Sequence, residues 1–274
     1  MKFVIVGSDG FLGSHIVKEL NHLKLQTLPV SRLERKRYIN ANDFWSNLEY
    51  KQEDTTHIID LMCFQAGDIP GHLPVPQTTF HLISSTSVYK PMNIRHLGLA
   101  HPFYYSSTDS YISGKLEAED LLRTRNFTHR ILRPCMIIGP GDSSGRSKNL
   151  FQLFLSEKRL ATKRLSTDLI QTIDVRDCAH QIVNAVLRDY DQKYESNIVS
   201  DPLAFGVFVD TIKQLLKESS ATVDFGSSED MIPFAKHDYS LSQNTIPVDR
   251  SLQRRPFLSP KESFSDFLDK LGIR

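Results

Sequence analysis

Three observations predict an α/β protein built on a doubly wound, mostly parallel sheet, with a smaller, mainly C-terminal lobe. A short apolar run, "KFVIV" at 2–6, stops at a glycine and gives way to a helix-spaced segment. Further β-rich apolar runs recur along the 274 residues, with helix-patterned stretches between them. There is no internal repeat and no low-complexity tract. Alternation of this kind lays strands side by side in one sheet with helices on its faces. A chain of this length can bury a substantial core.

The elements follow in order. The turn "GSDGFLG" leads into "SHIVKELNHL", where Ile16, Val17, Leu20 and Leu23 fall at helical spacing. "LQTLPVSR" at 25–32 reads as the next strand, and the polar stretch 33–53 shows no clear pattern. "THIIDLMCF" at 56–64 and "FHLISSTSVY" at 80–89 read as buried strands. Between them "QAGDIPGHLPVPQT" is too broken by proline and glycine for a long crossover helix, so a reduced connection is expected. A helix is predicted over 107–124, a strand over 129–142 closed by Gly-Pro-Gly, a helix over 177–187 and a short strand at 197–200. "FGVFVDTIKQLL" is a further helix. In "SPKESFSDFLDKLG", Ser259 is the expected N-cap, Pro260 the first-turn residue and Glu262 the capping-box partner. Phe264, Phe267, Leu268 and Leu271 then form a core stripe, and Gly272 a stop.

Composition excludes several classes. The formal net charge is +1, so no broad basic surface for nucleic acid or anionic membrane is expected. Cys63, Cys135 and Cys178 lie in apolar surroundings without paired spacing and read as reduced core residues, which favours the cytoplasm. The N-terminal apolar run is too short for a signal peptide, and no run approaches a membrane span. The Asn126-Phe127-Thr128 sequon is idle if the protein is never secreted. Ten histidines show no paired metal spacing, and no metal is expected.

Gly7, Gly10 and Gly13 are spaced G-x-x-G-x-x-G between a strand and a helix. Glycine there permits a tight turn, close backbone approach to a pyrophosphate, and close helix–strand packing. The first-turn residues Gly10, Phe11, Leu12 and Gly13 would offer N–H groups and a positive dipole end to the phosphates. The setting reads as the phosphate-binding turn of a Rossmann dinucleotide site, the alternative being a structural turn with no ligand. An NAD site usually carries Asp or Glu at the end of the second strand. Here Ser31 and Arg32 stand there, with Arg35, Lys36 and Arg37 behind. A small residue followed by arginine suits a 2′-phosphate, which favours NADP. Glu34 keeps NAD open as a ribose partner.

"YISGK" at 111–115 puts a phenol and an ammonium four residues apart on one predicted helix face. A glycine inside that helix costs about 1 kcal/mol relative to alanine, so it implies a close approach. The pair lies shortly after a strand that ends in Ser84, Ser85, Thr86 and Ser87. A neighbouring ammonium stabilises phenolate, so Tyr111 could give or take a proton near neutral pH.

A glycine turn, "ISSTSVY", "YISGKLEAEDLL", "LRPCMIIGPGD" and "IQTIDVRDCAHQIVNAV", in that order, resemble the extended short-chain dehydrogenase/reductase family of NAD(P)-dependent epimerases and dehydratases. The build is atypically compact, and Ile138 stands where the family commonly has tyrosine. The resemblance implies that Ser85, four before Tyr89, polarises the substrate oxygen, that Tyr111 is the acid/base and that Lys115 also holds the nicotinamide ribose. It implies a dinucleotide-binding domain of residues 1–142 with 169–205, and a substrate lobe of 143–168 with 206–274.

The expected activity is reduction of a carbonyl on a sugar-nucleotide-like or secondary-metabolite substrate with NADP. An epimerase with retained cofactor is the alternative. A 4,6-dehydratase is disfavoured because Ser85-Thr86-Ser87-Val88-Tyr89 lacks both acids of the Thr-Asp-Glu-Val-Tyr pattern. A non-catalytic, RNA-associated relative is the reading of a different class, opposed by the near-neutral charge and the intact Ser85, Tyr111 and Lys115 set. The expected partner is a small molecule, with no nucleic acid and no membrane, and a homodimer is one expected assembly. Asp60 reads as structural rather than a residue near the cofactor, Arg133 as a packing or ion-pair residue, and Asp249 and Arg250 as a solvated loop rather than a substrate contact.

Overall fold

A computed structural model describes residues 1–38, 41–47, 56–73, 77–89, 109–188, 193–217, 220–232, 252 and 256–271. The chain runs β1 (Lys2–Val6), α1 (Phe11–His22), β2 (Gln26–Val30), α2 (Arg32–Lys36), α3 (Ala41–Asn47), β3 (Thr56–Asp60) and β4 (Thr78–Ile83). It continues with α4 (Ser110–Arg123), β5 (His129–Pro134), β6 (Met136–Ile138), α5 (Arg146–Ser156), β7 (Arg159–Thr162), β8 (Leu169–Ile170) and β9 (Thr172–Asp174). Last come α6 (Val175–Leu187), β10 (Lys193–Ile198), β11 (Leu203–Ala204), α7 (Phe205–Leu215), β12 (Thr222–Phe225) and α8 (Pro260–Leu271).

Six strands form one sheet in the order β10-β5-β4-β3-β1-β2, and every neighbouring pair is parallel. Chain order reverses at β1, which lies between β2 and β3. A parallel sheet opens a crevice beyond the strand ends at such a reversal, because the flanking connections leave on opposite faces. Burial on both faces requires apolar residues at successive positions. Accordingly Phe3, Val4, Ile5 and Val6 are all buried. One face packs Phe3, Ile5, Ile59 and Leu132 against Ile16 and Leu20 of α1 and Ile182 and Val183 of α6. The other packs Val4, Val6, Ile58, Phe80, Leu82 and Ile131 with Ala118 and Leu122 of α4 and with Phe44 and Trp45 of α3. Each fully buried side chain of this size contributes about 1.5–3 kcal/mol.

A third apolar cluster joins Leu150, Phe151 and Phe154 of α5 to Phe205, Phe208 and Ile212 of α7 and to Phe264, Phe267 and Leu268 of α8. The two-stranded pairs β6–β9, β8–β11 and β7–β12 lie outside the main sheet.

Several expectations need correction. The strand predicted over 129–142 is two strands in different sheets, β5 in the main sheet and β6 paired with β9. The second strand ends at Val30, so Ser31 is the N-cap of α2. Within 33–53, the described residues hold α2 and α3. The predicted strand at 80–89 stops at Ile83, and Thr86–Val88 form a 3-10 turn. The capping box of α8 is present: Ser259 N–H donates to Glu262 Oε2 at 2.7 Å and Glu262 N–H to Ser259 Oγ at 3.3 Å. Asp249, Arg250 and Gly272 lie outside the described residues. Among those residues, no helix is long and apolar enough to cross a membrane, and no group of three His, Cys, Asp or Glu side chains could hold a metal ion. Cys63, Cys135 and Cys178 are buried free thiols, and burial pushes Cys135 up to about 12.

Candidate active site

A cavity of about 560 Å³ opens where the sheet order reverses. Its floor is the glycine turn after β1. Gly7 has a φ of +85°, a conformation L side chains rarely adopt. A Cβ on Gly13 would stand 2.1 Å from Gly7 O, so only glycine lets α1 start this close to the strand end. The N-terminus of α1 has no side-chain cap and no acid in its first turn. The cradle and the uncapped N–H groups of Phe11, Leu12 and Gly13 thus fit a diphosphate.

One wall is α4. Asp109 caps it, its Oδ1 accepting from Tyr111 N–H at 2.8 Å and Ile112 N–H at 3.4 Å. Tyr111, Lys115 and Asp109 all line the cavity. Tyr111 is 41% exposed and so open to a reactant, whereas Lys115 is only 2% exposed. The Lys115 ammonium donates to Cys63 O and Ile83 O, each at 2.7 Å. It lies 4.9 Å from the centroid of the Phe64 ring and 5.8 Å from that of Tyr111. Burial draws it below the ordinary lysine value, against the pull of Asp60 and Glu119. Two carbonyl dipoles and two aromatic faces are what let an ammonium remain at this depth.

The glycine in "YISGK" now has a physical account. A Cβ on Gly114 would lie 2.2 Å from Phe64 O. The loop after β3 therefore runs hard against α4 and delivers the Cys63 carbonyl to Lys115.

The hydroxyl strand end supplies the facing wall. Ser85 Oγ lies 2.6 Å from Ser87 Oγ, and both residues line the cavity. Ser84 also borders the cavity, but its Oγ is taken by buried Glu119, to which it donates at 2.5 Å. This sets Ser84 apart from Ser85 and Ser87, which the sequence leaves interchangeable with it.

Of the residues assigned from sequence, Gly7, Gly10, Phe11, Leu12, Gly13, Arg32, Ser85, Tyr111 and Lys115 share this one cavity. Ser31 is not on its wall; its Oγ accepts from Glu34 N–H at 3.1 Å. Arg32 is held by Asp9 of the glycine turn, through its N–H at 2.8 Å and its Nε at 3.3 Å. Arg35 turns inward, toward Asp68 and the Phe44 ring, and so stands apart from Arg32. Asp60 ends β3, accepts from Met62 N–H at 2.7 Å and carries a buried, unpartnered Oδ2; burial raises its carboxyl to about 6.

Sequence reasoning did not find Met62, Phe64, Asp109, Met136 or Arg146 on the cavity wall. Asp109 carried a readable signal, an N-cap residue two before Tyr111. The others arrive by tertiary folding, with no local pattern to mark them.

No family model and no curated protein matches the chain. Solved structures match over nearly its whole length. UDP-glucuronic acid 4-epimerase from Bacillus cereus, in complex with UDP-glucuronic acid and NAD, aligns with a TM-score of 0.66 at 16% identity, over 99% of each chain. RMD from Pseudomonas aeruginosa, complexed with NADPH, gives 0.62 at 17% identity, over 100% of this chain and 99% of that one. A functionally unknown conserved protein from Silicibacter pomeroyi gives 0.68 at 15% identity, over 98% of each. The chain thus shares the Rossmann α/β fold of these structures.

Proposed function

We propose that the chain is an NADP-dependent oxidoreductase that reduces a carbonyl on a sugar-nucleotide-like or secondary-metabolite substrate. One observation carries the reading: Tyr111, Lys115 and Ser85 line the same cavity as the glycine cradle. A bound nicotinamide dinucleotide would supply the hydride. The N–H groups of Phe11, Leu12 and Gly13 would hold its diphosphate, and Arg32 would grip the 2′-phosphate that separates NADP from NAD. Ser85 donates a hydrogen bond to the substrate oxygen. Tyr111 delivers the proton that the reduced oxygen takes up, and the Lys115 ammonium beside it stabilises the phenolate left behind. The three protons of Lys115 Nζ exceed its two carbonyl partners, which leaves one for the cofactor ribose.

A second reading, an epimerase that oxidises and re-reduces its substrate with retained cofactor, draws support from the similarity to the Bacillus cereus epimerase with NAD. The same residues serve it, with Tyr111 alternating between base and acid. Absorbance of the purified protein at the nicotinamide band separates the two, since a retained cofactor favours the epimerase.

Two measurements test the reading. NADPH should raise the melting temperature more than NADH does. Tyr111→Phe should bind cofactor nearly as well as the parent and lose turnover by about 10²-fold or more on any ketone the parent reduces. Normal turnover by that variant would sink the acid/base role.

A further inference from the structure

We propose that Glu119 is a positioning residue, which sets the height of the Tyr111–Lys115 helix against the strand end that carries Ser85. This rests on the catalytic reading above and adds a residue that touches neither substrate nor cofactor.

Tyr111, Lys115 and Glu119 stand at i, i+4 and i+8 on one face of α4, one below another. Glu119 is fully buried. Its Oε1 accepts from Ser84 Oγ at 2.5 Å and from Arg133 Nε at 2.8 Å. Its Oε2 accepts from Arg133 Nη2 at 2.7 Å and Arg123 Nη2 at 2.9 Å. One turn higher, Lys115 Nζ donates to Ile83 O. Two successive turns of α4 therefore grip two successive residues of β4's end, Ile83 by its carbonyl and Ser84 by its hydroxyl. The next residue is Ser85, and the next turn of the helix carries Tyr111.

Charge balance alone does not require the Ser84 bond. Three guanidinium donors already serve the Glu119 carboxylate, and Arg133 is shared with Glu195 at 2.6 Å. The Ser84 hydroxyl is the side chain of the strand end that meets Glu119 directly; Arg133 adds a longer bond to the Tyr89 hydroxyl at 3.3 Å, beyond the serines. Sliding α4 by one residue moves it about 1.5 Å along its axis, enough to break both grips. Tyr111 would then shift along the wall it shares with Ser85, and Lys115 would leave the Ile83 carbonyl.

The test uses the full chain with NADP⁺ bound. Ser84→Ala removes the link without disturbing the ion pairs, Ser84→Thr restores it, and Glu119→Gln keeps the shape while weakening the network. The phenol of Tyr111 is titrated by NMR on ¹³Cζ-labelled tyrosine, assigned with Tyr111→Phe. The exchange rate of the Lys115 ammonium protons is read on ¹⁵N-labelled lysine. Ser84→Ala should raise the Tyr111 titration by about half a unit or more and speed Lys115 proton exchange by about tenfold, with Ser84→Thr close to the parent. A Ser84→Ala protein that melts at a lower temperature but keeps both readouts overturns the proposal and leaves Glu119 a structural residue. If the parent's Tyr111 titrates as an ordinary phenol, the acid/base reading fails separately, and Lys115 exchange decides the positioning claim.

Discussion

Gly114 shows how one absent side chain can organise a site. Replacing it with alanine gains about 1 kcal/mol of helix propensity. Against this, the new Cβ meets Phe64 O at 2.2 Å, and that atom is backbone, which cannot rotate away. Overpacking of this kind costs about 1–3 kcal/mol and sometimes more. The clash wins. Gly114→Ala should lower the urea midpoint with an unchanged slope, and it should weaken cofactor binding because the displaced loop carries the Cys63 carbonyl away from Lys115. A variant as stable as the parent would show that the loop has room to retreat. The glycine is conspicuous in the sequence because a helix interior normally avoids it. The atom that demands it lies some fifty residues earlier and leaves no mark nearby. The same holds for the serines, because adjacent hydroxyls look alike until Glu119 takes Ser84.

Among elements, the joint between α6 and α8 is the most exposed to a single substitution. Asp174 caps α6 through Arg176 N–H at 2.7 Å and pairs with Arg176 Nε at 2.8 Å and Nη2 at 2.9 Å. Its Oδ2, which also takes the Nη2 bond, accepts from Ser263 Oγ of α8, and Arg176 reaches on to Asp266 of α8. Asp174→Ala removes a cap worth about 1 kcal/mol and leaves the partly buried Arg176 guanidinium with Asp266 as its remaining partner. Because Arg176 is about a third exposed, water recovers part of that second loss, and a total near 3 kcal/mol is expected. Hydrogen exchange should speed up across Pro260–Leu271 before it does in the main sheet. Uniform loss of protection would refute α8 as the weak joint. At this scale the long, strongly periodic helices were legible, and so was the capping box of α8. The break between β5 and β6 was not. An apolar run shows that a strand is buried, but not where it changes partner, and here the chain leaves the main sheet after Pro134 to pair with β9. The α5 helix was not among the predicted elements, although Leu150, Phe151 and Phe154 fall at a spacing that fits a helical face.

For the whole molecule, acid stability depends on a histidine pair buried in the sheet. His57 Nδ1 lies 3.1 Å from His81 Nε2, and the rings stack. Burial lowers His57 to about 4 and His81 well below the ordinary value. Both are therefore neutral when folded, while the unfolded chain takes up protons below about 6.5. The stability they contribute is complete above about 6.5 and is lost as pH falls toward about 4, at up to about 1.4 kcal/mol per pH unit for His57. Asp60 acts oppositely, since its raised carboxyl favours the folded state as pH falls below about 6. Two imidazoles outweigh one carboxyl, so the unfolding free energy should decline from pH 6.5 to 4. His57→Gln should flatten that decline, whatever its effect at pH 8; an unchanged slope would rule the pair out as its source.

The sequence alone determined the alternation that makes a doubly wound sheet, the glycine turn with its phosphate-sized gap, and the helix face that pairs Tyr111 with Lys115. Those are local properties, set by periods of two and 3.6 residues and by conformations only glycine adopts easily. Tertiary structure alone decided which serine hydroxyl Glu119 takes, what holds Lys115, why Gly114 must be bare, and which residues of the later chain close the wall. Each of those depends on atoms far apart in sequence meeting within a few ångströms, and no local pattern encodes such a meeting.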